Sequence, residues 1–312
     1  DRSSMVYSGP LNIDSTTVLK ARIFRSGNLP GPVTARTFFI GEGHDLPIVS
    51  VSTDPYHLWD HEHGIYAMGP NASQDNPHFG ANFWQDWERP VYLEVFNESQ
   101  ERVLAQHAGT KIYGAWSRAH AQKSMSFFAR SEYGDGSFSA RLFAEKPMES
   151  YEAFVLRNSG NDWCNSFFRD AFIGQLARQM DLDYQAYQPY VLYLNGEYWG
   201  VRNMREKINE HFLAGNHQVD PDDINLLTNN VSLIQGSAER YEALLDFVGT
   251  HSLAEQEHFN VVEQYMDVEN FTRYWVLNVY VDNKDWPGNN TKYWSTGAEG
   301  SLFRWIVYDT DF

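Results

Sequence analysis

Val281-Asp-Asn-Lys-Asp-Trp-Pro-Gly-Asn-Asn290 carries the densest set of instructions in the chain. Proline offers no backbone donor and glycine favours turns, so Trp286-Pro-Gly-Asn289 has to be a loop. That loop presents Asp285 and, five residues on, Asn290. Ahead of it, Asp267 is placed to cap a helix carrying Phe271, Tyr274, Trp275 and Val279, so the loop leaves a helix end. Beyond it, Phe303-Arg-Trp-Ile-Val-Tyr-Asp-Thr-Asp-Phe312 reads as an apolar strand with Asp309 and Asp311 at its C-terminal end.

Two loops in that order fit the needs of phosphoryl transfer. There, one Asp takes the proton of the attacking hydroxyl, while an Asn five residues later and an Asp at the end of a following strand hold Mg²⁺ against the phosphates. The competing reading is that Asp and Asn merely favour turns, which each loop alone would satisfy. A phosphate-binding half is then expected upstream. Thr110-Lys-Ile-Tyr-Gly-Ala-Trp-Ser-Arg118 is a strand, a glycine turn at Gly114, then the Ser117 hydroxyl and the Arg118 guanidinium, with Lys123 opening the return strand Ser124–Ala129. A hairpin tip offering backbone N–H groups, with a lysine on its return strand, can cradle a triphosphate. One glycine is not a glycine-rich loop, so an ordinary hairpin with surface Arg118 and Lys123 is the alternative.

Working outward, the first forty residues read as β-structure. In Thr17-Val-Leu-Lys-Ala-Arg-Ile-Phe24, Leu19, Ala21 and Ile23 alternate with Lys20 and Arg22, and a Gly/Pro turn leads into Thr34–Ile40. That is too little chain to bury a core, so residues 1–41 are expected to be part of a β-sandwich module. Residues 41–45 read as a linker. From Leu46, strand signals recur at Ile48–Val51, Val91–Phe96, Thr110–Tyr113, Ser124–Ala129 and Ala153–Arg157. Asn195-Gly196 between two aromatic, β-branched runs is a hairpin signal, since both central residues of a type I′ turn need positive φ. Helices enter near residue 165. Phe168, Phe172, Leu176 and Met180 recur every four residues behind Asn165 and Ser166 as caps, Ser237 can cap the next, and Ser252-Leu-Ala-Glu255 is a capping-box pattern. The expected class is α+β, with a β-rich half followed by a helical half.

Composition narrows the partners. Forty-two per cent hydrophobic residues, 15% of the chain being aromatic, suffice for a sizeable core, and 312 residues suggest two domains or one large one with an appendage. Lys and Arg number 24 against 41 Asp and Glu, a net charge of −17 that argues against a nucleic-acid footprint and for a basic protein partner. No apolar run nears the ~20 residues of a membrane span. The single cysteine, Cys164, excludes an internal disulfide and cysteine zinc sites. His57, Asp60, His61 and His63 have metal-binding composition, but the segment reads as a polar loop with nothing to orient ligands. Starting at Asp1 and stopping at Phe312, the chain is expected to be a piece of something longer.

These stretches together resemble the CotH kinase family, the spore-coat protein H group of atypical protein kinases. The resemblance runs through Leu46-Pro-Ile-Val-Ser50, Leu58-Trp-Asp60, Gly64-Ile-Tyr66, Glu88-Arg-Pro-Val91, the Gly114…Lys123 hairpin, Leu156-Arg-Asn158, Phe168-Arg-Asp-Ala171, Leu194-Asn-Gly-Glu-Tyr-Trp-Gly200, Arg205-Glu206, Asp285…Asn290 and Tyr308…Phe312. It covers residues 46–312, a domain expected to be truncated at its C-terminus. Residues 1–41 resemble more loosely the end of an immunoglobulin-like module of chitobiase-type enzymes.

The resemblance implies an atypical two-lobed kinase fold and transfer of the ATP γ-phosphate to Ser or Thr of a protein, with Mg²⁺ or Mn²⁺. It implies Asp285 as the catalytic-loop Asp, Asn290 or Asn289 as its metal-holding partner, and Asp309 as metal ligand with Asp311 as second candidate. Lys123 would contact the α- and β-phosphates beside Gly114, Ser117 and Arg118, and Glu206 would lie at a nucleotide-base hinge. No glutamate stands on the helix over 166–180, which leaves Asp170 as the acid placed to partner Lys123. The family also implies a secreted or cell-surface bacterial protein. The alternative is a catalytically inactive secreted structural or surface-binding protein that keeps the fold. A carboxylate-pair glycosidase is a third reading, and it leaves the lysine hairpin without a purpose.

Overall fold

The computed structural model describes residues 4–312. An antiparallel ribbon of β1 (Thr17–Ala21) and β2 (Thr34–Phe38) comes first. The strands β3 (Ile48–Ser52), β4 (Arg89–Phe96), β5 (Arg102–Tyr113), β6 (Ser124–Phe128) and β7 (Ala153–Arg157) follow, with a short α1 (Pro55–Trp59) after β3. Next come α2 (Arg169–Gln179), β8 (Asp183–Tyr184), β9 (Tyr187–Leu194), β10 (Glu197–Glu206) and α3 (Glu210–His217). The chain continues through β11 (Ile224–Thr228), β12 (Ser232–Gln235), α4 (Glu239–Thr250), α5 (Gln256–Val262), α6 (Val268–Tyr280), β13 (Lys292–Thr296) and β14 (Arg304–Val307).

Seven strands close into a barrel in the order β10-β7-β6-β5-β4-β3-β9. Closure needs one non-local parallel pair, β3 with β9, Ile48 opposite Val191. It removes the unpaired strand edges that an open sheet would expose. Inside, Val49, Leu93, Ile112, Met125, Phe127, Phe154, Leu156 and Met204 form one apolar cluster. The expected hairpin joins β9 to β10: Asn195 and Gly196 both have positive φ, and the Asn195 amide oxygen accepts from Thr53 N at 2.8 Å, tying the turn to β3. The β1–β2 ribbon leans on this barrel, with Thr37 N donating to Glu94 Oε2 at 2.8 Å.

A second sheet runs β12-β11-β13-β14-β8. Its core joins Ile173 and Ala177 of α2 to Tyr274 and Leu277 of α6 and to Tyr293, Trp305 and Val307 of the sheet. The half expected to be helical is therefore mixed. It also recruits α2 and β8, which precede the last two barrel strands in sequence. Helix α2 turns a different face inward than its aromatic stripe suggests: Asp170, Ala171, Ile173, Gly174 and Ala177 are buried, while Phe168 and Phe172 are exposed. The physical reason is Asp170, which must meet two arginines of the barrel. The helix start is served by Asp162, whose carboxylate accepts from Ser166 N at 3.0 Å and Arg169 N at 2.9 Å, rather than by Asn165 or Ser166. Asp267 does cap α6, accepting from Asn270 N at 2.9 Å. Among the described residues no helix is long and apolar enough to cross a membrane.

Candidate active site

The Asp285 loop is anchored at both ends. Trp286 packs edge-on against Trp275 of α6 with ring centroids 4.5 Å apart, and Asn283 Nδ2 donates to Asn278 Oδ1 at 2.9 Å. Across the loop, Asp285 Oδ2 accepts from Asn289 Nδ2 at 3.1 Å and from Asn290 Nδ2 at 2.9 Å. The Asn290 amide also reaches the Asp309 carbonyl at 3.3 Å, which joins the loop to the end of β14. Asn290 and Asp309 both adopt left-handed backbone, at φ 54° and φ 55°. Asn and Asp tolerate this conformation better than most residues, and it turns their side chains off the regular strand and loop path.

The second carboxylate pair meets the barrel. Arg157, at the end of β7, bonds Asp309 Oδ1 and, at 2.8 Å, Asp311 Oδ2 through Nη2; its Nη1 donates to Asp170 Oδ2 at 3.2 Å. Arg205 of β10 joins the same Asp170 oxygen at 2.9 Å, and Thr310 donates to the other oxygen through N and Oγ1 at 2.9 and 3.0 Å. Burial works to raise the Asp170 pKa, but Arg205, Arg157 and the two Thr310 donors overcome it and hold it at about 2. Asp311 goes the other way: burial outweighs Arg157 and pushes it up to about 7. Its side chain is 2% exposed against 35% for Asp309, so Asp309 is the carboxylate open to a ligand. Gly160 makes room for this contact, since a Cβ there would stand 2.6 Å from Asp311 Oδ2.

Strand parity decides which barrel residues face the carboxylates. Directly paired residues share a face, and successive residues along a strand swap faces. Met125 and Phe127 point into the barrel, so Ser124 and Ser126 point out. Pairing extends the outward set: Lys111 and Ser126, Val155 and Arg205, Tyr113 and Ser124, Arg157 and Asn203. Lys123 falls on the inward parity. Its ammonium donates to the carbonyls of Arg118 at 2.6 Å and His120 at 3.1 Å, lies 3.7 Å from the centroid of the core residue Phe83, and is only 5% exposed. Burial pulls its pKa down to about 8. The structure does not bring Lys123 to the carboxylates, and Asp170 pairs with arginines in its place.

The other expected residues divide likewise. Arg118 spends its guanidinium on the backbone carbonyls of Gly114, Phe83 and Trp84. The Gly114–Ser117 tip nonetheless borders the site, because Asn158, next to Arg157, donates to the carbonyls of Ser117 at 3.2 Å and Gln122 at 2.8 Å. Glu206 is buried, which raises its pKa, and its carboxylate holds Ala186 N at 2.7 Å and Asn216 Nδ2 at 3.1 Å. It pins the crossing from β10 to α3, where a cavity of about 130 Å³ is bordered by Met148, Tyr151, Glu206, Lys207 and Phe212. Sequence reasoning missed Arg157. The signal was there in Val155-Leu-Arg157, where the buried Leu156 alternates with the outward residues.

The donor set suits a hard cation: Asp285, Asp309 and Asn290 offer only oxygen. Among the described residues no three His, Cys, Asp or Glu side chains stand together as a metal cage. Mg²⁺ is such a hard cation, and it is usually held by one or two carboxylates together with substrate phosphates. The model of the family described as CotH kinase protein matches residues 110–312. No curated protein matches the chain.

Proposed function

The chain belongs to the CotH kinase family, and from that premise we propose that it is an atypical protein kinase moving the γ-phosphate of ATP onto a Ser or Thr hydroxyl of a protein. The observation that carries this reading is the hydrogen-bonded link from Asp285 through Asn290 to Asp309. It joins the two sequence segments whose order and spacing phosphoryl transfer requires.

Asp285 is the group we assign to the acceptor hydroxyl. Two amide donors hold its Oδ2, while Oδ1 makes no hydrogen bond among the described residues and is free to take a proton. Asn290 and Asp309 would hold Mg²⁺, with Asp311 behind them bonded to Arg157. The metal, when bound, supplies positive charge that offsets the phosphates beside an acidic protein. Arg157 keeps Asp309 aimed at the cleft, and Asp170 fixes Arg157 in turn. The net charge of −17 favours an acceptor Ser or Thr set among Lys and Arg.

One observation favours the second reading, a scaffold without catalysis: the expected phosphate lysine, Lys123, is sunk in the barrel. A γ-phosphate transfer assay with Mg²⁺ and Mn²⁺ on a lysine-rich Ser/Thr peptide separates the two. The kinase reading expects transfer by the wild type and a loss of roughly 100-fold or more in Asp285→Ala and Asp309→Ala, with circular dichroism unchanged. Full activity in either variant removes the assignment, and an inactive wild type favours the scaffold.

A further inference from the structure

Two lysines outside this chemistry stand at the same cleft, one from each side. Lys207 continues β10 on the outward parity of Arg205, and its ammonium lies 5.4 Å from the Tyr113 ring centroid and 5.7 Å from that of Phe128. Lys292 opens β13, two residues after Asn290, and its ammonium lies 3.9 Å from the ring centroid of Tyr308, the neighbour of Asp309. Neither makes a hydrogen bond or ion pair among the described residues. The half-buried Lys111 and Lys146 are answered, by Asp86 at 2.9 Å and Asn216 at 2.6 Å, and the buried Lys123 by two carbonyls.

Both ammoniums are half-buried and neither has a carboxylate within ion-pair distance among the described residues, a state that an anionic ligand relieves. Lys292 feels the Asp309 carboxylate and the Lys207 ammonium, while Lys207 feels Lys111 and, more distantly than an ion pair, Glu210 and Asp86. Tyr113, the aromatic platform of Lys207, lies within the field of Arg157 and Asp309. The two cations therefore flank the carboxylates that a phosphate-bound metal would need. We infer that Lys207, from the barrel wall, and Lys292, from the second sheet, grip a polyphosphate chain across the cleft and fill the role first expected of Lys123. The inference rests on the kinase reading for the identity of that polyphosphate as a nucleotide's, but the two cations and their occupant are tested apart from transfer.

The experiment is calorimetric titration of the full chain with inorganic tripolyphosphate and, separately, orthophosphate, in chelator so that no metal takes part. Tripolyphosphate should bind the wild type and orthophosphate far more weakly. Lys207→Met and Lys292→Met should each weaken tripolyphosphate by about tenfold, and the double variant should abolish binding. Lys207→Arg and Lys292→Arg, which keep the charge, should stay within a few-fold, as should Lys123→Met. No binding by the wild type, or wild-type affinity in the double methionine variant, overturns the inference. Equal loss in the arginine variants overturns it too, since packing and not charge would then be at work. If the wild type transfers γ-phosphate while the methionine variants bind as before, this inference fails and the kinase reading stands; lost binding in a chain that never transfers phosphate gives the reverse.

Discussion

The barrel wall carries cations on both faces, and the two faces treat them in opposite ways. Inside, Lys123 is held by two backbone carbonyls over Phe83, and the wholly buried Arg202 gives Nη1 to Gln122 Oε1 at 2.9 Å and to the Val201 carbonyl at 2.7 Å. No carboxylate answers either. Outside, Arg157 and Arg205 meet Asp170, Asp309 and Asp311. Carbonyls and aromatic rings can seat a cation but cannot neutralise it, so the inner face bears a standing desolvation cost. The outer face pairs its arginines across the cleft, leaves Lys207 without an ion-pair partner among the described residues and keeps Asp309 accessible. Partner type, more than residue type, separates a structural cation from one that shapes a site.

The sharpest way to break the comparison is Asp170→Ala. It strips the shared counter-charge from Arg157 and Arg205, and a loss of about 3–5 kcal/mol in chemical denaturation is expected. A loss below about 1 kcal/mol would mean that the outer arginines do not depend on their carboxylates.

The inner face gives a smaller, pH-dependent effect. Burial holds the Lys123 pKa at about 8, below the 10.5 of an unburied lysine. A group lowered in this way contributes stability that is present above the unfolded value and lost as pH falls through the folded one. Stability should therefore rise with pH between about 8 and about 10.5, and Lys123→Met should flatten that rise by about 3 kcal/mol at most. Denaturation of both proteins across this window checks it. Parallel curves would mean that the Lys123 ammonium is hydrated.

Much of the candidate site's local geometry was legible because it is local. The Asp285 loop, the β14 end and the Asn195-Gly196 turn depend on residues within a few positions of one another. The placement of Lys123 was legible in principle, since it shares parity with Met125 and Phe127, but a lysine at a strand start was given a solvent address by its charge. Barrel closure was not legible, because it rests on Ile48 meeting Val191, a pairing that no local pattern encodes. The second sheet was hidden for a related reason. Asn225-Leu-Leu-Thr228 and Lys292-Tyr-Trp-Ser-Thr296 are short, and they become strands only by pairing with each other. In α2 a buried ion pair overrode an aromatic stripe.

Thermal melting with ATP and Mg²⁺ tests most directly whether the outer wall and the second sheet enclose a nucleotide site. With ligand at a hundredfold excess over its dissociation constant, the wild type should gain about 2.7 kcal/mol, seen as a rise in Tm that vanishes without the metal. Lys123→Met should show the same rise and Asp309→Ala none. A wild type that does not respond, or an Asp309→Ala variant that responds equally, would contradict the account.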